Sequence, residues 1–526
     1  MKEHGAEKLT HTQGGDDGRK GSRMMMMQTD TKVGRAETEA AELLVLTHCE
    51  GEPLSRPDAA GLDKVLGGSL RDLLQSREFE GRAGEVLVYH THGKVPAKRL
   101  LLVGLGKKHQ LTLDAIRQAL GHAVKRVRQC KVDSFAAVVP AVTPKAQTPL
   151  EVAQAMTEGA ILGNYQFTAY RSDNGTPINV ERMTILTQQK AQLRPLSEGI
   201  RRGLATAEAA VLVRDLCNHP SNVMTPTRIA NEAKKIAKEE ALNLKILEQK
   251  DMEQLGMGAL LGVARGSHEP PKFIILEYNG AKKKDDRPVV LIGKTITFDT
   301  GGISLKPAEN MEHMKADMTG GAEVLAAVRA AARLRLPLRL VSILPVAENM
   351  PGGRAMKPGD IVKTLSGKTV EVQNTDAEGR LILADALAYA QRYNPVALVD
   401  IATLTGACVV ALGQFAIGMF GTDDKLKAQV QKSGQKSGER VWEMPLWEEY
   451  FEQLRSDVAD MRNIGGRGGG MITAALFLSK FAGDGPWVHI DIASTDWSER
   501  ERAYIPKGPT GIGTRLLIQY LIDRSL

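Results

Sequence analysis

Between Lys294 and Arg380 the chain concentrates acids and bases beside glycines. An apolar run, Pro288–Gly293, leads into Lys294-Thr-Ile-Thr-Phe-Asp299-Thr-Gly-Gly-Ile-Ser-Leu-Lys306. Asp317 stands just before a helical pattern over Gly321–Leu334, and Asn374-Thr-Asp376-Ala-Glu378-Gly-Arg380 leads into another over Leu381–Gln391. Four carboxylates brought together repel one another, so each needs a raised pKa or a shared cation. Three bases could neutralise them in a salt-bridge network. Carboxylates on three separate Gly-rich segments suit oxygen-ligand metal coordination better, and two divalent ions about 3.5–4 Å apart with a bridging water are its hydrolytic form. Asp376, Glu378 and Arg380 alternate, so an extended backbone would project all three to one side. Gly301, Gly302 and Gly379 would let the main chain approach a bound group.

Such segments need a sheet beneath them, because in α/β folds the loops at the carboxyl ends of strands build the ligand crevice. Strand candidates run through the second half: Leu242–Leu247, Lys272–Tyr278, Pro288–Gly293, Leu338–Pro345, Lys368–Gln373, Val396–Ile401 and Trp487–Ile492. Several are apolar on both faces, as in a sheet covered by helices on each side. The first half carries Glu42–His48, Glu85–Thr91, Ala97–Gly106 and Asp133–Pro140 as strands, with a helical pattern over Thr112–Arg128. Helical patterns over Pro149–Phe167 and Ser197–Leu216 join the halves. The expected fold is therefore α/β in two domains: a tail over 1–32, a smaller N-terminal domain with a linker helix over 33–195, and a larger C-terminal catalytic domain over 196–526. The tail is polar and Gly-rich, and its run Met24–Met27 offers an alternative start.

Composition excludes other classes. The 526 residues are 42% hydrophobic and 25% charged, the balance of a globular chain. The net charge of +7 is no signature of nucleic-acid binding. Cys49, Cys130, Cys217 and Cys408 form no CxxC or Cys/His spacing, so neither zinc knuckle nor disulfide framework is expected. No apolar stretch approaches a membrane span or a secretory leader, and the expected location is cytoplasmic. Residues 101–150 hold eight bases (107, 108, 117, 125, 126, 128, 131 and 145) against two acids. They lack interleaved aromatics, so they read as a solvated helix face, with nucleic-acid binding as the secondary reading. No phosphate-cradling loop, GxSxG elbow or HExxH motif occurs.

GKTITFDTGGISLKP (293–307), MKADMTGGAE (314–323) and NTDAEGRLILADAL (374–387) resemble the signature blocks of the leucyl aminopeptidase (cytosol aminopeptidase) family. The likeness extends from about Arg214 to the C-terminus through NMPGGRAMKPGD, ATLTGA, NIGGRGGG and HIDIA. It implies a variable N-terminal α/β domain, a catalytic domain with a central mixed sheet flanked by helices, and a homohexamer. It implies two divalent ions per subunit, manganese first and zinc as the other candidate. Asp299 and Glu378 would bridge both, Asp376 would complete one site, and Lys294 with Asp317 the other. Lys306 and Arg380 match the family's non-ligand catalytic residues, with a bicarbonate at Arg380. Met314, Thr403, Gly406 and Ala493 would line an apolar pocket for a leucine-like first residue of a peptide. The alternatives are a DNA-binding hexamer with secondary peptidase activity, and another dinuclear hydrolase such as a phosphoesterase.

Overall fold

The computed structural model describes residues 27–54, 57–140, 142–144, 147–172, 179–281 and 286–525. The first half forms one six-stranded sheet from β1 (Gln28–Val33), β2 (Leu44–Glu50), β3 (Val86–His90), β4 (Arg99–Lys107), β5 (Ser134–Val138) and β6 (Arg182–Thr187). Its order is β1-β6-β5-β2-β4-β3, parallel throughout except for the edge strand β3. β2 to β5 fall where alternating or continuous apolar residues place them. β1 corrects the tail expected over 1–32: residues 28–32 pair in register with β6, and Met27 is buried. Its sequence, QTDTKV, lacks apolar alternation, and only the ladder to β6 identifies it as a strand. Residues 1–26 of the expected tail lie outside the described residues, as does Lys145 of the basic stretch.

The helix Leu193–Asn218 runs unbroken through the boundary expected at 195/196. It packs on Pro149–Asn164 in the first half and on Thr319–Leu334 in the second, so no linker separates the halves there. Pro149–Asn164 starts at a capping box, in which Thr148 and Glu151 satisfy each other's backbone N–H groups.

The second half builds a nine-stranded sheet. Its strands are β7 (Asn243–Leu247), β8 (Lys272–Asn279), β9 (Val289–Gly293), β10 (Thr295–Asp299), β11 (Arg339–Asn349), β14 (Ala397–Ala402), β15 (Ile417–Gly421), β16 (Val441–Glu443) and β18 (Trp487–Asp491). The order is β16-β15-β18-β14-β9-β11-β8-β7, with β10 paired to β11. The central strands β18, β14, β9 and β11 are parallel and flanked by antiparallel neighbours, so the sheet is mixed. Thr319–Leu334 and Thr514–Arg524 cover one face, and Gly379–Ala390, Gly258–Ala264 and Gly470–Ser479 the other. β9 and β14 are buried along their whole length, which explains their unbroken apolar runs. The run 368–373 is not part of this sheet: β13 (Thr369–Glu371) belongs to a separate three-stranded sheet with β12 (Ile361–Lys363) and β17 (Met461–Arg462).

Candidate metal centre

The carboxyl ends of the parallel strands supply the site. Lys294 directly follows β9, Thr403 follows β14, and Asp299, Asn349 and Asp491 are the last residues of β10, β11 and β18. Glu378 caps the helix Gly379–Ala390, whose second residue is Arg380, and Asp317 ends the 3-10 turn Met311–Ala316. Asp376 lies in a turn, and Arg380 is already helical. The extended projection of 376, 378 and 380 therefore does not form, and the three converge through a turn and a helix start instead.

Oxygens of Asp299, Asp376 and Glu378 all lie within 4.8 Å of one another. Lys306 Nζ is 2.8 Å from Asp299 Oδ2 and 2.5 Å from Asp376 Oδ1, a close contact without hydrogen-bond geometry. Lys294 Nζ is 2.8 Å from both Asp317 Oδ1 and Glu378 Oε1, and donates to the Thr403 carbonyl at 2.9 Å. Burial disfavours the Lys294 ammonium, but Asp317, Glu378 and Asp299 outweigh it and raise its pKa. Lys306 is raised in the same way against burial, chiefly by Asp299 and Glu378. Burial pushes Asp317 up, with Lys294 opposing, and pushes Asp376 and Glu378 up together with the neighbouring Asp299 charge. Acids so disfavoured as anions are poised to take a cation.

The donor set fits divalent ions. It is carboxylate-rich and buried, and Asp317 Oδ2 has no hydrogen-bond partner. Glycines hold the close packing. A Cβ on Gly379 would sit 2.6 Å from Lys294 Cε, and Gly301, at φ +83°, would place one 2.8 Å from Asp376 Oδ1. These glycines admit the site's own side chains.

Asn349, the first residue of NMPGGRAMKPGD, has no role that the sequence assigns. Its Nδ2 donates to Asp299 Oδ1 at 2.7 Å and to the Thr375 carbonyl at 3.0 Å, fixing the carboxylate and tying two loops. Its signal was a lone amide ending an apolar strand. Asn463, the first residue of NIGGRGGG, likewise has no role that the sequence assigns. It receives the N–H groups of Gln373 and Asn374, donates to the Asn374 carbonyl, and offers its own carbonyl to Arg380 Nη1 at 2.8 Å. Burial pushes the Arg380 guanidinium down to about 10, still charged at neutral pH, and its Nε is buried without a partner. That orphan donor fits a small anion.

Of the pocket residues, Thr403 lies in the loop after β14, Gly406 opens the helix Gly406–Leu412 that follows it, and Ala493 lies two residues beyond the neighbouring β18. Met314 lies in the turn before Asp317, whose N–H its carbonyl accepts. Thr403 Oγ1 donates to Asp317 Oδ1 at 2.7 Å, so this hydroxyl orients a carboxylate as well as bordering the site. Asp491, to which the sequence assigns no role, fixes both loops by accepting from Leu404 N, Ala493 N and Thr405 Oγ1. The basic stretch 101–150 is solvated only in part: Lys107, Lys108, Arg126 and Lys131 are exposed, and three other bases turn inward. Arg117 is buried against Glu158, Lys125 pairs with Glu501, and Arg128 donates to the Asn164 carbonyl.

The family described as the cytosol aminopeptidase family matches twice: its catalytic domain over residues 211–518 and its N-terminal domain over residues 45–174. A probable cytosol aminopeptidase of Geobacter sp. (strain M21) is 49% identical over 467 residues, 87% of this chain and 92% of that one. A mutant of tomato leucine aminopeptidase superposes with a TM-score of 0.86 at 32% identity, covering 95% of this chain and 97% of that one. The bottromycin maturation enzyme BotP in complex with Mn superposes with a TM-score of 0.81 at 36% identity, over 93% and 100% of the two chains.

Proposed function

Because this chain belongs to the cytosol aminopeptidase family, we propose that the centre around Asp299 and Glu378 removes leucine-like residues from the amino ends of peptides by a two-metal hydrolysis. The protein is a metal-dependent aminopeptidase. The observation that carries the finer reading is the convergence of the Asp299, Asp376 and Glu378 oxygens within 4.8 Å, beside Lys294, Asp317 and Lys306.

Asp299 and Glu378 would hold both ions, Asp376 one, and Lys294 with Asp317 the other; manganese is the proposed resident and zinc the second candidate. When bound, such ions supply Lewis acidity and an activated water near neutral pH. The remaining work belongs to the chain. Asn349 and the Gly301 N–H hold one Asp299 oxygen in place and leave its Oδ2 to Lys306. Lys306 stays charged and places positive charge where an oxyanion develops. Arg380 cannot act as a base, since a guanidinium does not give up its proton at working pH. Its unpaired Nε supports a bound anion, for which bicarbonate is proposed, and that anion would carry protons. Lys294 must act as a neutral amine to be a ligand, and adjacent dications favour that form over the ammonium.

Selection of the bond is proposed to come from the substrate's free α-amino group, received at the Lys294–Asp317 end, with Met314, Thr403, Gly406 and Ala493 bordering the first side chain. Positioning of this kind can lower a barrier by several kcal/mol. The test is paired. Leucyl-arylamide is cleaved in the presence of manganese, activity is lost on chelation and restored by manganese, and N-acetyl-leucyl-arylamide is inert. Equal rates on the two substrates would refute exopeptidase selection. Cleavage of phosphate esters without arylamide turnover would instead assign a phosphoesterase.

A further inference from the structure

The N-terminal sheet has a crevice of its own. From the central strand β2 the chain runs outward to β3 and β4 on one side, then returns to β5 and β6 on the other. The carboxyl ends of β2 and β5 are therefore a topological switch point, the place where open α/β sheets bind ligands. A cavity opens there, lined by Leu46, Leu70, Phe79, Leu102 and Val138. Two polar atoms, Thr47 Oγ1 and His48 Nε2, are buried in its wall without hydrogen-bond partners. About 40 Å³ of the cavity is open to the centre of a water molecule. At roughly 10–15 Å³ per water, that room suits a short branched side chain and is too narrow for a fused ring.

The cavity shares His48, Leu54 and Leu74 with a groove of about 870 Å³ on the same measure. Six charged residues line that groove, and four are already paired: Arg71 with Asp63, Arg82 with Glu80, and Glu52 with Lys108. Among the described residues, Glu50 and Arg77 have no ion-pair partner. Among the described lining residues, one unpaired anion and one unpaired cation beside an apolar slot complement a zwitterion with an aliphatic side chain. The balance of charge disfavours a polyanion.

We infer that this crevice binds a free apolar amino acid of the leucine type, with its side chain in the slot and its ammonium and carboxylate at Glu50 and Arg77. The choice of ligand rests on the proposed function, since such an amino acid is what the enzyme would release; the geometry of the crevice stands apart from it.

Equilibrium dialysis of labelled leucine against the full-length protein tests the site, with Glu50→Gln and Arg77→Asn as surface variants and Asp299→Asn as the metal-centre variant. Asparagine suits position 77, where φ is +61°. The expected result is leucine binding that survives Asp299→Asn, weakens at least tenfold in each surface variant, and leaves arylamide turnover by those variants unchanged. Isocaproate, without the amine, and isopentylamine, without the carboxylate, should bind at least tenfold more weakly than leucine. Absence of binding, or binding lost only in Asp299→Asn, would overturn the inference. AMP bound in place of leucine and lost in the surface variants would assign the crevice to a nucleotide and overturn it as well. Failure of the peptidase reading shows separately, as absent arylamide turnover in the unaltered enzyme.

Discussion

Lys294 and Lys306 are both lysines in carboxylate company, yet their surroundings give them opposite tasks. Lys294 is buried between Asp317 and Glu378, with the end of its side chain packed against Gly379. Lys294→Arg should lose metal at one site, because arginine keeps its proton; elemental analysis showing full occupancy would return Lys294 to a purely ionic role. Lys306→Ala should keep both ions and lower kcat by about 10²–10³-fold, the usual cost of removing one oxyanion donor. Gly379→Ala should act through Lys294, since the new methyl would sit 2.6 Å from its Cε. Metal content and turnover should fall together while the circular dichroism stays native. An active, fully metallated Gly379→Ala enzyme would disprove that steric account.

Elements carry two further expectations. β1 is polar, and its place comes from the ladder to β6 and from buried Met27. Deleting residues 1–26 should therefore leave activity and stability intact. Deleting 1–33 should cost roughly 2–4 kcal/mol, from one buried methionine and part of a strand ladder. Urea midpoints separate the two cases. The second expectation concerns the helix Gly379–Ala390 that carries Arg380. Its Asp385 accepts the N–H groups of Leu260 and Leu365 at 2.9 and 2.7 Å, and burial pushes its pKa up to about 7. A folded pKa above the unfolded value of about 3.9 means the fold prefers the protonated acid. That contribution is complete below pH about 4 and is lost as pH rises through about 7. Asp385→Asn should flatten the dependence of stability on pH across that window. Identical slopes for the two proteins would contradict it.

At the scale of the whole molecule, the two halves are joined through buried charge. Arg117 binds Glu158 and the Lys436 carbonyl, and Arg515, held by Glu439 and the Tyr504 hydroxyl, lies 3.8 Å from the same Glu158. Arg214 donates to the carbonyls of Leu162, Tyr504 and Thr510. Breaking a buried pair from one side strands the other charge, so Arg117→Ala should cost about 3–5 kcal/mol in a chemical-denaturation measurement. Val410 is 90% exposed, and Phe415, Trp442 and Trp447 are 60–62% exposed. Side chains of this kind, clustered in sequence around β15 and β16, suit burial between copies of the chain. We propose the homohexamer implied by family resemblance; sedimentation should give six chains, and a monomeric mass would refute it.

Local sequence determined the apolar runs that became β2 to β5, β8, β9, β11, β14 and β18, because burial on one or both sheet faces leaves a periodic or continuous apolar signal. It also made legible the charged residues that the fold brings together, since Lys294, Asp299, Asp317, Asp376, Glu378, Lys306 and Arg380 crowd beside glycines; their proposed roles come from the family resemblance. It did not determine their geometry. That Asp376 and Glu378 meet through a turn and a helix start depends on Asn463, which comes from a loop more than eighty residues further along the chain. The orientation of Asp299 by Asn349 needs β10 and β11 side by side. β1 is a strand only because β6 offers it an edge, and Arg117, which sequence places on a helix in a basic stretch, turns inward because Glu158 waits on the neighbouring helix. Each of these is a contact between residues distant in sequence. Such contacts leave no trace in composition or period, because their free energy exists only once the tertiary structure has brought both partners together.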